Sequence, residues 1–292
     1  MLNHEAYISW NGSGGRDSKP FCSCATCTNA RREGGRNVRK RQCVLVNDDL
    51  LIDIGPDLFA SCASLGLSLT EVRHLLVTHS HLDHFSPENL LLRSKPFRLA
   101  TETPEMTVVA GPSVWMKWEL SGGRDNEAGI VRVPALPGET REFTPYTVRS
   151  VAASHHLRMG DAMNYILHDG ETTVLYASDT GMYEEKVWRE LEGLSFDAIV
   201  MESTIGLRPS GKEHLNFTDL ALMIERLESI GAVTGRTVKI ATHFSHQGVE
   251  PYEETKQILA RMGIVCAYDG MVSVIGPDVY PSDAFNSSDP KS

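Results

Sequence analysis

Apolar positions along the chain fall into short dense runs separated by polar turns, with longer amphipathic stretches between them. The runs "AYISW", "CVLVN", "LLIDI", "HLLVT", "TVVAG" and "YTVRSVAAS" predict strands, because runs this short suit strands buried on one or both faces. The first runs into the glycine turn "NGSGG". Asp48-Asp49 is a polar pair suited to a tight turn and joins "CVLVN" to "LLIDI" as a hairpin. "NYILHD" and "TTVLYASD" make a second hairpin around Gly170-Glu171. "PDLFASCASLGL" predicts a short helix started by Pro56. In the second half, "EEKVWRELEGL", "NFTDLALMIERLESIG" and "PYEETKQILARMG" have helical apolar spacing, the middle one capped near Asn216 or Thr218 and closed at Gly231. "FDAIVME" and "TVKIATH" are strands, and "IVCAYDGMVSVIG" reads as a terminal strand pair. From Pro277 the chain turns polar, which predicts a frayed tail over 277–292. Two strand-rich halves with interspersed helices imply an α/β protein. Its sheets pack face to face with helices outside, a four-layer αββα sandwich in a single domain over residues 1–276.

Composition narrows the setting. The 292 residues are 41% hydrophobic and 23% charged, ordinary for a globular protein able to bury a core without disulfides. No apolar run approaches membrane-span length, and the N-terminus lacks the basic start and apolar stretch of a signal peptide, so no membrane association and a cytoplasmic location are expected. The net charge of −10 argues against wholesale binding of a nucleic-acid backbone. In a reducing compartment the six cysteines are not read as a disulfide framework. Cys43, Cys62 and Cys266 lie in apolar runs and read as core residues.

The chemistry concentrates in "THSHLDHF", directly after the strand "HLLVT". His79 and His81 are two apart at a strand end, so in an extended turn both imidazoles can meet one ion. Asp83 and His84 then point elsewhere and can serve a second. Imidazole with carboxylate suits Zn, Mn or Fe. Further donors end other strands: His155, Asp179 and His243. With Asp179 bridging, one ion takes His79, His81 and His155, and the other takes Asp83, His84 and His243. Neither set fills a coordination sphere, as a catalytic metal requires.

These residues resemble the metallo-β-lactamase superfamily, whose hallmark His-x-His-x-Asp-His corresponds to His79–His84. His155, Asp179 and His243 match the order of its later ligands. "LLIDIG", with Asp53, is similar to the segment that precedes the hallmark. The resemblance implies the metallo-β-lactamase sandwich with two divalent ions, Zn or Mn, at the active site. It further implies attack by a metal-bridging hydroxide, with Asp53 orienting a metal histidine through its ring N–H. Of the pair His155-His156, the following "MNYIL" strand aligns His155 as the ligand and leaves His156 to touch substrate.

"CSCATC" adds Cys22, Cys24 and Cys27, three thiolates for one tetrahedral ion, and His246 in "HFSHQ" offers the fourth ligand. This arrangement is similar to the phosphoribosyl cyclic phosphate phosphodiesterases within the superfamily, where such a set holds a structural zinc. That resemblance implies a small phosphorylated substrate, a cyclic phosphodiester, with His214 and Asp83 as catalytic residues and His214 contacting the phosphoryl oxygens or protonating the leaving oxygen. "RREGGRNVRKR" places six basic residues within eleven, and Arg41 is the candidate for a substrate phosphate.

The chain departs from that branch in three places. "FSPENL" follows the hallmark, residues 93–105 and 119–130 look long, and Glu202 in "MEST" replaces a usual aspartate. Competing readings are another hydrolase of the fold (thioester, lactone or tRNA-processing), a non-catalytic carrier like the pyrroloquinoline quinone accessory protein, and a flavodiiron protein. The missing substrate arm disfavours tRNA and other nucleic acid, the intact hallmark disfavours the carrier, and the absence of a flavodoxin domain disfavours the last. A homodimer is compatible with the sequence.

Overall fold

Alternation within the strands sets the layering in this computed structural model, which describes residues 5–15, 21–98, 103–277, 279, 281 and 284–285. Two seven-stranded sheets form. The first has the order β14 (Val272–Ile275), β1 (Ala6–Gly12), β2 (Cys43–Val46), β3 (Leu50–Ile52), β4 (His74–Leu76), β5 (Met106–Ala110) and β6 (Ile130–Pro134). The second runs β13 (Val265–Cys266), β12 (Val238–Thr242), β11 (Ala198–Glu202), β10 (Thr173–Ala177), β9 (Met163–His168), β8 (Tyr146–Ala152) and β7 (Thr140–Phe143). Each sheet joins an antiparallel half to a parallel half, β3 to β6 in the first and β10 to β13 in the second.

Successive strand side chains point to opposite faces. Val44, Val46, Leu50 and Ile52 therefore meet Tyr165, Val174, Tyr176 and Ile240 between the sheets. Cys43, Leu45, Leu51 and Leu75 face outward and are covered by residues of α2 (Leu58–Leu65), α3 (Pro87–Leu91), α4 (Pro112–Leu120) and α5 (Asp125–Ala128). On the other side Leu175, Ala177, Ile199 and Met201 lie under α6 (Glu185–Leu191), α7 (Phe217–Ser229) and α8 (Tyr252–Ala260). These three apolar layers make the αββα sandwich. Each fully buried aliphatic or aromatic side chain contributes about 1.5–3 kcal/mol, so the strand ends sit on a stiff platform. The remaining helix, α1 (Ala25–Glu33), carries part of the cysteine cluster.

The predicted hairpins form, β2 with β3 and β9 with β10. Asn216 caps α7 by accepting the Asp219 amide at 2.7 Å. Two expectations fail. The terminal "pair" splits: β13 joins β12 in the second sheet and β14 joins β1 in the first. The turn closed by Met271 N–H on the Tyr268 carbonyl, with Gly270 at φ 90°, carries the chain across. Nor is the stretch from 277 simply frayed. Ala284 is fully buried and its carbonyl accepts the Val274 N–H at 2.9 Å, while Val279 and Phe285 pack on the inter-sheet core. A polar composition concealed these apolar anchors; residues 286–292 lie outside the described residues. Of the long segments, 119–130 contributes α5 and helps close the outer face of the first sheet through Ala128. In 93–105, residues 99–102 lie outside the described residues.

The two sheets are tied together near the C-terminal ends of their parallel strands. Gly15 N–H donates to the Phe244 carbonyl and Phe244 N–H to that of Ser13, at 3.3 and 3.2 Å. In open α/β sheets that edge is where ligands bind.

Candidate active site

Strands β3, β4, β8, β10, β11 and β12 end at this edge, and their ends or the turns after them carry the site residues. Asp53 follows β3 with φ 62°, Asp179 follows β10 with φ 47°, and His243 follows β12 with φ 57°. Left-handed backbone is costly for residues with a side chain and clusters at functional sites. The 79–84 loop is anchored from both sides. Lys117 of α4 donates to the Ser80 and Phe85 carbonyls at 2.8 and 2.6 Å. The buried Asp53 carboxylate accepts the Thr78 amide at 2.8 Å, the Thr78 hydroxyl, and His84 Nδ1 at 2.7 Å.

Those partners set the tautomers. His84 gives its Nδ1–H to Asp53, so its Nε2 carries a lone pair. The Thr78 hydroxyl donates to Asp53 and accepts from His79 Nδ1 at 3.1 Å, leaving His79 Nε2 with a lone pair. His155 Nδ1 donates to the Glu213 carbonyl at 3.0 Å, which frees its Nε2 in the same way.

The freed nitrogens converge. His81 Nδ1 lies 2.9 Å from His79 Nε2 and 3.1 Å from His155 Nε2. His84 Nε2 lies 3.0 Å from His243 Nε2. Asp179 Oδ2 stands between the groups, 3.6 Å from His79, 3.4 Å from His155 and 3.3 Å from His84. Asp83 Oδ2 lies 3.5 Å from His243 Nε2, and Asp83 Oδ1 is buried with no hydrogen-bond partner among the described residues. One ring N–H cannot satisfy several lone pairs, and a buried carboxylate oxygen without a donor is costly. A cation removes both problems. The donors form two groups, His79, His81, His155 with Asp179, and Asp83, His84, His243 with Asp179, each fitting a metal ion. Burial lowers the pKa of His84 and His243, but Asp179 outweighs it and raises both, His243 to about 10, so in the polypeptide alone these rings hold an extra proton that a cation at this group would displace. Burial pushes the Asp83 carboxyl up, but His84 and His243 outweigh it and hold it at about 2. Burial, then His155 and His156, hold the His81 imidazole down at about 4, unprotonated and able to ligate.

His156 belongs to neither group. Its ring lies 4.3 Å from that of His81, its backbone has φ 50°, and its Nδ1 is buried without a hydrogen-bond partner among the described residues. His214 stands beside the donors, its ring 4.7 Å from His155 and 6.2 Å from His243. Its Nδ1 lies 2.8 Å from Glu202 Oε1. Glu202 is fully buried at the end of β11 and also accepts the Thr180 and Thr204 amides at 2.8 and 2.9 Å. Burial alone would lower the His214 pKa, but the Glu202 charge and hydrogen bond raise it. Sequence reasoning noted Glu202 only as a departure and missed its role. The available signal was its place, an acid ending a buried strand as Asp179 nearly does. Thr78 and Thr204 were missed as well; the Thr204 hydroxyl lies 2.8 Å from His243 Nδ1.

Cys22, Cys24, Cys27 and His246 come together as a third candidate metal group. Cys24 Sγ lies 3.5 Å from His246 Nδ1 and accepts the Cys27 amide at the start of α1. The His246 contact, then that amide, hold the Cys24 thiol down at about 6, while burial and the neighbouring sulfurs push Cys27 up to about 12. Thiols this unequal and this close suit a shared cation, which lowers all of them together.

Arg41 is not available as a simple phosphate contact. Its guanidinium holds Asp57 through Nε at 2.7 Å and Nη2 at 2.5 Å. Any phosphate there must compete with that carboxylate. The rest of the basic stretch is also engaged: Arg39 donates to Ser13 and the Ala267 carbonyl and lies over Phe244, Arg36 lies over Tyr268, and Arg32 pairs with Glu33.

The sequence profile of the beta-lactamase superfamily domain matches residues 49–244, more than half of the chain, and the chain belongs to that superfamily. Its fold is the metallo-β-lactamase sandwich. Similar solved structures include a diphosphatase from the PhnP family, at TM-score 0.71 and 20% identity, covering 93% of this chain and 97% of that one. Zn(2+)-bound PqqB from Methylobacterium extorquens gives TM-score 0.68 and 16% identity over 91% and 99%. The short form of human tRNase Z gives 0.60 and 14% over 91% and 98%. At such identities the likeness is one of fold. A comparison of the sequence with curated proteins finds no match.

Proposed function

We propose that this chain is a dinuclear metal-dependent phosphodiesterase acting on a small, cyclic phosphodiester. The observation that carries the reading is Asp179 Oδ2, held between two histidine-rich donor groups with the His214–Glu202 pair alongside. The PhnP-family diphosphatase and tRNase Z among its fold relatives support phosphate-ester chemistry. Two zinc or manganese ions bound by these groups would lower the pKa of a shared water and polarise the phosphoryl oxygens.

The chain's own residues do the rest. Asp53 and Thr78 fix the rings of His84 and His79, so the donors are preorganised. His214 gives the proton on Nε2 to the leaving oxygen, because Nδ1 is engaged by Glu202, whose charge raises the ring's pKa and favours its protonated form. Glu202 holds the ring orientation and balances the imidazolium charge. His156, whose ring lies beside that of His81, meets the substrate's non-reacting part in this reading. Cys22, Cys24, Cys27 and His246 would hold a structural zinc, which would pin α1 to the segment carrying His243. A carrier role, as a second reading, needs no acid–base pair beside the metals.

The test is metal stoichiometry together with turnover of a nucleoside 2′,3′-cyclic phosphate and a ribose 1,2-cyclic phosphate. Wild-type protein should turn over at least one, and Asp179→Ala should abolish turnover while keeping the cysteine-bound zinc. Wild-type turnover in Asp179→Ala, or none of any phosphodiester in fully metallated protein, would overturn the reading.

A further inference from the structure

The helices do not completely cover the outer face of the first sheet. Between α2, α3 and the chain after α3 lies a cavity of about 450 Å³, within the size range of small-molecule sites. Leu51 and Leu75 form its floor, with Leu58, Phe59, Leu90 and Phe97 around them. Phe59 and Phe97 are 73% and 66% exposed, so the apolar lining continues to the surface. None of the lining residues belongs to a metal-donor group.

Two cations line the same apolar space, Arg93 and Arg98. Arg93 donates to the Ala128 and Pro104 carbonyls at 3.1 and 2.7 Å, and Arg98 donates to the Thr103 hydroxyl. Among the described residues neither has a carboxylate within ion-pair distance. Burial lowers the Arg93 pKa and the neighbouring Arg98 charge lowers it further. Two like charges beside apolar walls, with no carboxylate partner among the described residues, are costly for the protein alone.

We propose that this cavity binds an amphiphilic carboxylate, with its alkyl chain among the leucine and phenylalanine side chains and its head group against Arg98 and Arg93. The walls reward an alkyl chain and offer little to a polar ligand. A planar guanidinium matches a carboxylate in a two-point contact. A neutral hydrocarbon would leave the two cations as they are, whereas a carboxylate offsets their repulsion with the opposite charge that the described residues do not place beside them. The site is independent of the phosphodiesterase reading.

Calorimetric titration of the full-length protein with dodecanoate, below its micelle concentration, tests the proposal against 1-dodecanol as the uncharged probe. Dodecanoate should bind saturably at one per chain, and the alcohol at least tenfold more weakly. Arg98→Gln should weaken dodecanoate at least tenfold and leave the alcohol unchanged. Thr70→Trp, at the exposed rim of the cavity, should block both. Circular dichroism melts show whether each variant is folded. Absence of saturable binding, equal affinity for acid and alcohol, or full affinity in a folded Arg98→Gln protein would overturn it. A dimer dissociated by Phe97→Glu, without dodecanoate binding, would assign the face to a second copy and overturn it as well.

Discussion

Glu202→Gln isolates the part of the site that sequence reasoning overlooked. Wild-type Glu202 is fully buried and faces three donors, the Thr180 and Thr204 amides and His214 Nδ1. The variant keeps one oxygen acceptor but loses the charge that supports the imidazolium. A hydrogen bond to a charged group is worth about 1.5–3 kcal/mol, which converts to roughly 10- to 150-fold in rate at 1.36 kcal/mol per decade. The loss should fall on kcat for a diester with a poor alkoxide leaving group and be small for a 4-nitrophenyl leaving group, which needs no proton. The pH profile should move as well. His214 acts as an acid, so its activity is present below its pKa and lost as pH rises through it. Glu202 raises that pKa, so in Glu202→Gln the falling limb should shift to lower pH. Within His214→Ala, Glu202→Gln should have little further effect on kcat, since the carboxylate acts through the ring. Equal losses on both leaving groups with an unmoved limb would refute the reasoning, and metal analysis would show whether the variant had disturbed the donors instead.

Three other outcomes are expected. His214→Ala should lower kcat by about 10²–10⁴ on a poor leaving group with metal content intact, as read by steady-state kinetics and atomic emission. Cys24→Ser should lose one zinc and melt at lower temperature, because metal binding at such a site contributes directly to folding; calorimetry and zinc counting check this. Gly15→Ala should weaken metal binding at the Asp83–His84–His243 group, because the added Cβ falls 2.8 Å from His243 Cε1; a zinc titration of metal-stripped protein reads the change.

Much of the site was legible because its donors obey a simple rule. Each follows a dense apolar run, and strand ends in such sheets share an edge, so His79, His81, Asp83, His84, His155, Asp179 and His243 could be grouped before any geometry was known. The structure brings these residues together. Asp53 was legible through the resemblance of "LLIDIG" to the segment preceding the hallmark, and in the structure its carboxylate holds His84 Nδ1. What stayed hidden depends on partners distant in sequence. Arg41 looked free because Asp57, sixteen residues on, carries no signal of its pairing. Glu202 looked like a substitution because its donors come from two loops, Thr180 from the one after β10 and Thr204 and His214 from the one between β11 and α7. The split of β13 from β14 was hidden because a glycine turn looks the same whether it closes a hairpin or crosses between sheets. Ala284 was masked by polar neighbours, although one buried methyl and one backbone hydrogen bond suffice to dock that part of the tail.

The most direct test compares kcat/KM across substrate classes in one preparation, loaded first with Zn²⁺ and then with Mn²⁺. The panel is a cyclic phosphodiester, a bis-aryl phosphate, a thioester, a β-lactam and a pre-tRNA. The account predicts that a small phosphodiester, the cyclic one foremost, gives the highest kcat/KM. A thioester, lactam or pre-tRNA exceeding the best small phosphodiester by tenfold, about 1.4 kcal/mol of transition-state preference, would contradict it.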